Sequence, residues 1–558
     1  MQVRILNIPQ SLMLFVGALL LANIGQAYFT ELLHDEAYYW YYAQTPAWGY
    51  FDHPPMVAWM IVLGNVIAQG ELGVRLISCL MGAGTTLLLW LLIDRSAIKE
   101  FRLNIYIWLA SIVLVHAYGF LSLPDTPLLF FTTLFLFLYR EFLDKPRLGL
   151  AVALGLSMAA LMYSKYHAAL VIIAVLASHP GLLKNRYAWG ALLVSLLAYL
   201  PHFYWLYEHD FVSIQYHISE RPNQMYRFDG FTLGYLLNLL ALFGLTFPWV
   251  YWGLLRFRPA NLFERALVFI TYGIFIFFFI SSFQRRVQTQ WLIAACIPMA
   301  IIIGRQLIEN EIIRRWLFRA GIANLVLLAI LRVGLIYEPL FPVPFETHGN
   351  KEWVRQVDVI ADNAPVIFEN SYRLPSVYAF YSGKPSFTLV NAYYRHNQYS
   401  IDHSEDRFQG KRVFYIPIGK RKTPYSFLNQ DGDKRYGYFI PEFYSNQKLT
   451  AGLNPEPPDL KLDHGDFWLL NPYEFDIPMD SLQFGIAYLD RFKKVLQIKE
   501  IFPDKPGALL QMLKAGDSLS FQFSTPEKIV SDPVYLRAVV KRKRQLWGLN
   551  GASQKIEP

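Results

Sequence analysis

The residues with chemistry to offer stand in short polar runs between apolar ones. The run "HDEAYYW" sets Asp35 and Glu36 side by side, next to Tyr38 and Tyr39. A carboxylate in a partly dry cleft can take a proton from a hydroxyl. On a wet membrane surface the same acids are simply solvated and the rings are interface anchors. The run "SLPDTPLLFF" places Asp125 two residues before Pro127 and ahead of a long apolar stretch. Asp is a favoured helix N-cap and Pro is tolerated in the first turn, and a capping acid can still meet a ligand. In "YSKYHA", Lys165 and His167 lie between two apolar segments, where snorkelling to lipid headgroups is the plainest account. In "SSFQRRVQTQW", Arg285 and Arg286 share a very short turn. Two planar guanidiniums there can clamp a phosphate through paired N–H bonds, or pair with lipid phosphate at large. There is no Walker loop, zinc spacing or G-x-S-x-G motif. No His/Cys/Asp group has metal-ligand spacing either, so no metal or other cofactor is expected.

These runs are positioned by membrane helices. Only 17% of the 558 residues are charged, against about 25% in a soluble chain. The deficit lies in residues 1–337, which form one domain, while the remainder has the composition of a soluble part. A span takes about 20 apolar residues, fewer inside a bundle. Eleven segments qualify: 9–28, 72–93, 105–121, 126–142, 148–162, 167–177, 187–206, 231–255, 266–282, 291–304 and 317–337. The first resembles a signal peptide, with Arg4 ahead of it, but no small-residue cleavage site precedes Glu31, so it is expected to stay as an anchor. The loop 31–70 should carry surface helices. Its segment "PPMVAWMIVLGNVIA" follows a Pro pair and is too short to span, which fits a helix lying in the interface.

With Arg4 in the cytoplasm, every cytoplasmic loop is basic: Arg95, Lys99 and Arg102; Arg140, Lys145 and Arg147; Lys184 and Arg186; Arg256, Arg258 and Arg265; Arg305, Arg314, Arg315 and Arg319. That is the positive-inside pattern. It puts Asp35, Asp125 and the soluble part on the opposite side. The basic residues outside, Lys165, Arg221, Arg227, Arg285 and Arg286, break the rule and ask for an anionic ligand. The net charge of +8 follows from these loops. The only dense basic run, Lys541-Arg542-Lys543-Arg544, is too small to indicate nucleic acid. Cys79 and Cys296 lie in apolar segments, so no disulfide framework is expected.

The soluble part reads as two domains. In 338–440, segments such as "KEWVRQVDVIA", "PVIFEN" and "RVFYIPI" alternate helix-like and strand-like patterns, a small α/β arrangement. In 441–558, "DFWLLNPYEF", "LQFGIAYLD", "SLSFQFSTP" and "VYLRAVV" are short strands split by Pro, Gly and Asp, which suggests a β-sandwich.

Taken together, acids and cations on one membrane face supply what sugar transfer from a lipid phosphate needs. Over roughly residues 10–340 the chain resembles the GT-C glycosyltransferases, in particular the dolichyl-phosphate-mannose protein mannosyltransferases of glycosyltransferase family 39 and their aminoarabinose transferase relatives. The carriers are "DEAYYW", "GYFDHPPMVAW", "PDTPLLFF", "SKYHA", "WLYEHDFVSIQYH", "ERP" and "RRVQTQW". The resemblance implies a polyprenyl-phosphate sugar donor, inverting transfer and no obligatory metal. It makes Asp35 the first-loop catalytic acid, Glu36 its neighbour and Asp125 the second-loop acid. It puts His53, Lys165, His167, Arg285 and Arg286 near the donor phosphate. Tyr38, Tyr39, His217, Arg221, Gln290 and Trp291 are then expected around the sugar or acceptor. The expected partners are the lipid donor and an acceptor glycan, lipid or protein, at the periplasmic face of a bacterial inner membrane. The soluble part does not resemble the lumenal module of the protein mannosyltransferases, so the resemblance leaves the acceptor open. Two other readings share the lipid-phosphate site: a flippase or transporter of lipid-linked sugars, and a lipid-linked oligosaccharide ligase. A transporter should show midplane charges and broken helices.

Overall fold

The computed structural model describes residues 8–93, 98–220, 224–419, 422–454, 464–505, 507, 512–524, 533–543 and 545–556. Arg4, Arg95, Arg221 and Arg544 fall outside these. The chain forms two compact units: Met1–Ser213 with Tyr226–His348, and Ile214–Met225 with Gly349–Pro558. The first unit therefore runs past the expected boundary at 337 and gives up one loop segment to the second.

The first unit is helical. Its helices are α1 (Gln10–Phe29), α2 (His34–Ala43), α3 (Met56–Ile67), α4 (Gly70–Leu92), α5 (Ile98–Ser111), α6 (Val113–Ala117), α7 (Asp125–Asp144), α8 (Leu148–Ser164), α9 (Ala168–Ser178), α10 (Arg186–Glu208), α11 (Val212–Gln215), α12 (Gly234–Ala241), α13 (Phe247–Arg256), α14 (Leu262–Ser281), α15 (Cys296–Glu309) and α16 (Glu311–Ile336). Of these, α11 straddles the two units. Asparagines set several starts by accepting backbone N–H bonds: Asn185 at α10, Asn261 at α14 and Asn310 at α16. Seven helices are long and apolar enough to cross a membrane, or eight if a bent pair counts as one span, so the chain is an integral membrane protein.

Seven of the eleven expected segments fall in these long helices, and four depart from a straight crossing: 148–162 is α8, only 17 residues long. The segment 105–121 breaks at Ile112, whose backbone is extended. The segment 167–177 is α9, only 11 residues long, or about 17 Å against a hydrocarbon core of about 30 Å. The segment 231–255 folds as two helices meeting at 92°. Gly244, at φ +55°, makes that bend; a Cβ there would sit 2.7 Å from Asn324 Oδ1. Backbone groups freed by a break inside a bilayer need new partners. Asn324, fully buried on α16, supplies them. Its Nδ2 donates to Phe243 O at 2.8 Å and to Ser111 O at 3.0 Å, and its Oδ1 accepts from Leu245 N at 2.9 Å. One side chain thus serves both the bend and the break beside Ile112.

The core runs through α5, α7, α14 and α15. Trp108 of α5 donates its indole N–H to Ala300 O of α15 at 3.0 Å. Glycines allow close crossings: a Cβ on Gly155 of α8 would lie 2.4 Å from Ala191 O of α10. Helix α3, with 12 residues, is shorter than a span; it buries Val57 and Ile61 and exposes Leu63 and Val66. Cys79 and Cys296 are buried and unbridged.

The second unit begins with α17 (Asn350–Ala361), β1 (Val366–Glu369), α18 (Arg373–Ser382), β2 (Ser386–Leu389), α19 (Gln398–Ile401), β3 (Lys411–Ile416), β4 (Tyr425–Leu428) and β5 (Lys434–Phe443). They form a five-stranded sheet, order β2-β1-β3-β5-β4, with β2, β1 and β3 parallel. It continues with β6 (Thr450–Asn454), β7 (His464–Leu470), β8 (Ile477–Pro478), β9 (Leu482–Leu489), β10 (Val495–Pro503), β11 (Met512–Leu513), β12 (Ser518–Ser524), β13 (Tyr535–Arg542) and β14 (Gln554–Lys555). In place of the two separate sheets of a sandwich, seven of these make one sheet, β14-β13-β9-β10-β12-β7-β6. Its halves are joined through Phe502 and Pro503 of β10, paired with Ser524 and Phe523 of β12. They curl over a shared core of Phe467, Phe484, Ile486, Phe521 and Val540. Ala451 N closes the curl on Asn550 O at 3.1 Å.

Candidate functional site

Asp35 and Asp125 are each held in the first turn of a helix, where the macrodipole favours a carboxylate, and each is followed by a residue that fixes the loop. Behind Asp35 is Glu36, fully buried. Arg75 of α4 donates Nε to Glu36 Oε1 at 2.8 Å and Nη2 to Oε2 at 2.5 Å. Ser122 N adds a bond to Oε1 at 2.8 Å and Leu33 N one to Oε2 at 3.0 Å. Four donors hold the carboxylate, so Glu36 ties the loop before α2 to the loop before α7. Behind Asp125 is Thr126, whose Oγ1 donates to Tyr118 O at 3.0 Å and Leu121 O at 2.6 Å.

Asp125 is the first residue of α7 rather than its cap; the cap position is Pro124. Its Oδ1 accepts from Lys165 Nζ at 2.7 Å, and both side chains are almost wholly buried. The capping and snorkelling accounts of these two residues both give way to an ion pair. An ammonium carries three donors, so Lys165 can hold Asp125 and a further oxygen together.

Tyr38, Tyr39 and Tyr42 are buried on α2. Asp52, which the sequence reading passed over, accepts from the Tyr42 hydroxyl at 2.6 Å and pairs with His53 Nδ1 at 2.9 Å. A carboxylate only accepts, so Nδ1 carries the proton and Nε2 is the basic nitrogen. Tyr39 packs edge-on to that imidazole at 5.4 Å. The signal was the adjacent Asp in "FDHPP".

His167 packs 5.2 Å from Phe278 and 5.7 Å from Trp291, uniting two of the expected residues. Gln290 donates to Gln288 Oε1 at 3.1 Å on the surface. Arg285 is half-buried and Arg286 exposed. No described hydrogen bond joins Arg286 to Lys165 or His53. Arg227 pairs with Asp229 in the open, so its charge needs no ligand. His217 belongs to the second unit, against Tyr216, and Arg221 lies outside the described residues. Among the described residues no group of three or more His, Cys, Asp or Glu could hold a metal.

Residues 52–205 match the family model of the dolichyl-phosphate-mannose-protein mannosyltransferases. The chain is 25% identical over 294 residues to lipid A galacturonosyltransferase RgtD of Rhizobium johnstonii, a stretch covering 49% of this chain and 60% of that protein. It is 29% identical over 182 residues to the lipopolysaccharide core galacturonosyltransferase RgtA of the same organism, covering 31% of this chain and 36% of the relative. The chain thus spans about 60% or less of the length of these curated relatives. Among solved structures, ArnT from Cupriavidus metallidurans superposes with a TM-score of 0.54 in the apo state, at 15% identity, covering 76% of this chain and 96% of that one. Its complex with undecaprenyl phosphate gives a TM-score of 0.52 at 14% identity, covering 76% and 97%. The chain has the GT-C glycosyltransferase fold and is protein-mannosyltransferase-like across residues 52–205.

Proposed function

We propose that the chain transfers a sugar from a polyprenyl-phosphate donor to an acceptor hydroxyl, with inversion, at the outer face of a bacterial inner membrane. The observation that supports this reading is the buried bond from Lys165 to Asp125, with Glu36 tying the loop of Asp35 to the loop of Asp125 through Ser122 N. Asp35 takes the acceptor proton as that oxygen bonds to the anomeric carbon. The bond from that carbon to the phosphate oxygen breaks on the opposite side, and the lipid phosphate leaves with the electron pair. A leaving phosphate is a weak base and needs charge stabilisation rather than a proton. Lys165, His53 and Arg286 supply it, so the step as proposed requires no metal. Asp125 holds Lys165 and orients the acceptor, Glu36 positions Asp35, and the tyrosines of α2 with His167 and Trp291 wall the sugar.

The basic cytoplasmic loops support a cytoplasmic N-terminus and a periplasmic second unit. The names of the two curated relatives make an envelope glycolipid the first acceptor to test.

A transporter of lipid-linked sugars is the second reading, favoured by the broken helix at Gly244. That break is filled by Asn324 and faces Val113 rather than a charged pair. Proteoliposomes loaded with labelled polyprenyl-phosphate sugar separate the two. Label appearing in glycolipid supports transfer, and label crossing the bilayer still attached to its own lipid supports transport.

A further inference from the structure

The first unit holds a groove that the reaction above does not use. It opens between α9 and α10, with α7 and α8 behind it, and has a volume of about 130 Å³. Phe135, Tyr139 and Val175 form its buried floor, and Leu176, Trp189 and Leu192 its exposed lips. The Trp189 indole N–H donates to Leu183 O at 2.8 Å, so the ring offers the groove an apolar face. The groove follows from the length of α9. Eleven residues cover about 17 Å of a hydrocarbon core of about 30 Å, and a helix that short is accommodated by the lipid around it. The turn Pro180–Lys184 then carries the chain to α10 and closes one end of the groove with Leu182 and Leu183.

That end is basic. Lys184 and Arg186 flank Asn185, the cap of α10, and both are exposed. The His179 imidazole, where α9 ends, lies 3.5 Å from the Tyr139 hydroxyl of the groove floor. Burial and then the charge of Arg265 lower that imidazole from its ordinary value, so the guanidinium stands beside the same end. Arg265 comes from the start of α14, which packs against α9. It is half-buried, and among the described residues its guanidinium makes no hydrogen bond or ion pair. The carboxylate next to it in sequence, Glu264, is taken by Arg305.

A half-buried guanidinium at a membrane helix end is costly unless an anion meets it. A phosphate fits its fork, and basic pockets between membrane helices take anionic headgroups. The apolar groove beside it fits a hydrocarbon chain. We propose that this groove binds an anionic phospholipid, with one acyl chain along Phe135 and Val175 and the phosphate on Arg265, while Lys184 and Arg186 add attraction. Placing that lipid in the cytoplasmic leaflet rests on the membrane orientation proposed above; the site itself does not.

The test is photolabelling of the full chain in detergent by phosphatidylglycerol with a diazirine in one acyl chain, the labelled peptides being mapped by mass spectrometry. No sugar donor is present, so failure here is distinct from failure of transfer. Label displaced by excess unlabelled phosphatidylglycerol should fall on the groove's lining residues between 135 and 192. Phosphatidylcholine with the same chain should label more weakly by about tenfold or more. Arg265→Gln should bring phosphatidylglycerol down to the phosphatidylcholine level. Arg265→Lys, which keeps the charge but loses the fork, should fall between. Ala188→Phe, which fills the groove from α10, should abolish displaceable labelling by both lipids, with the thermal midpoint checking that each variant is folded. Four results would overturn the site: displaceable label elsewhere in the chain, equal labelling by the two lipids, no change in Arg265→Gln, or undecaprenyl phosphate displacing the label more strongly than phosphatidylglycerol itself, which would give the groove to the tail of the donor.

Discussion

The Arg75 guanidinium uses all five of its N–H groups: two on the Glu36 carboxylate at 2.8 and 2.5 Å, and three on the carbonyls of Ala27, Thr30 and Glu31 at 3.2, 2.6 and 2.9 Å. Both side chains are fully buried. The pair closes the end of α1 onto the start of α2 and thereby fixes the residue between, Asp35.

Removing one partner of a buried pair leaves the other uncompensated, at about 3–5 kcal/mol. Arg75→Leu should therefore lower the thermal midpoint in detergent sharply. Arg75→Lys should recover little, because an ammonium cannot reach all five acceptors. A lysine variant with wild-type stability would show that the fork is dispensable.

Arg286 offers a cleaner test of donor binding, because it is exposed. Arg286→Ala should leave the folding stability within about 0.5 kcal/mol of wild type. It should weaken capture of a photo-crosslinking polyprenyl-phosphate probe by about tenfold or more, the worth of a charge-assisted contact. Equal labelling of variant and wild type would take Arg286 out of the donor site.

Asn324→Leu keeps the volume and removes two hydrogen bonds at the bend of α12 and α13 and one at the break beside Ile112. Each unpaired backbone group costs about 1–3 kcal/mol, so a loss of several kcal/mol is expected, read as a shortened half-life on heating. Gly244→Ala should behave similarly, since its φ of +55° and the neighbouring Asn324 both resist a Cβ.

How far the sequence carried these features depended on whether their signal was local. The seven long spans were legible because apolar runs are local. The short α3 was legible because a Pro pair and a polar flank bound it. The bend at Gly244 was not: "LFGLTFP" holds a Gly and a Pro, but its partner Asn324 is 80 residues away. Arg75 was passed over although a lone arginine inside an apolar helix is itself a signal; nothing local says that it meets Glu36. Asp35, Asp125 and Lys165 stood out by type, whereas the bond from Lys165 to Asp125 needed the fold. The strands of the last domain were legible from their alternation, but the curl that joins them into one sheet depends on the β10–β12 corner and on Asn550.

Burial, with the Arg537 charge adding to it, holds the His396 imidazole down at about 4. The unfolded chain then binds more protons than the folded one between that value and the ordinary pKa of about 6.5, so stability rises with pH across that window. It is fully present above about 6.5, declines below it and levels off near 4. At pH 5 the second unit should be about 2 kcal/mol less stable than at pH 7.5, measured by urea-dependent proteolysis of the full chain. His396→Gln should flatten this dependence.

The central claim is that Asp35 is the base, and the direct measurement is single-turnover transfer by Asp35→Asn with bound donor. The substitution keeps the shape and leaves the contacts of Glu36 in place. Transfer should fall by about 10²–10⁴-fold while donor binding and the thermal midpoint remain those of wild type. Transfer at the wild-type rate by a variant that binds donor normally would contradict the account and move the base to Asp125.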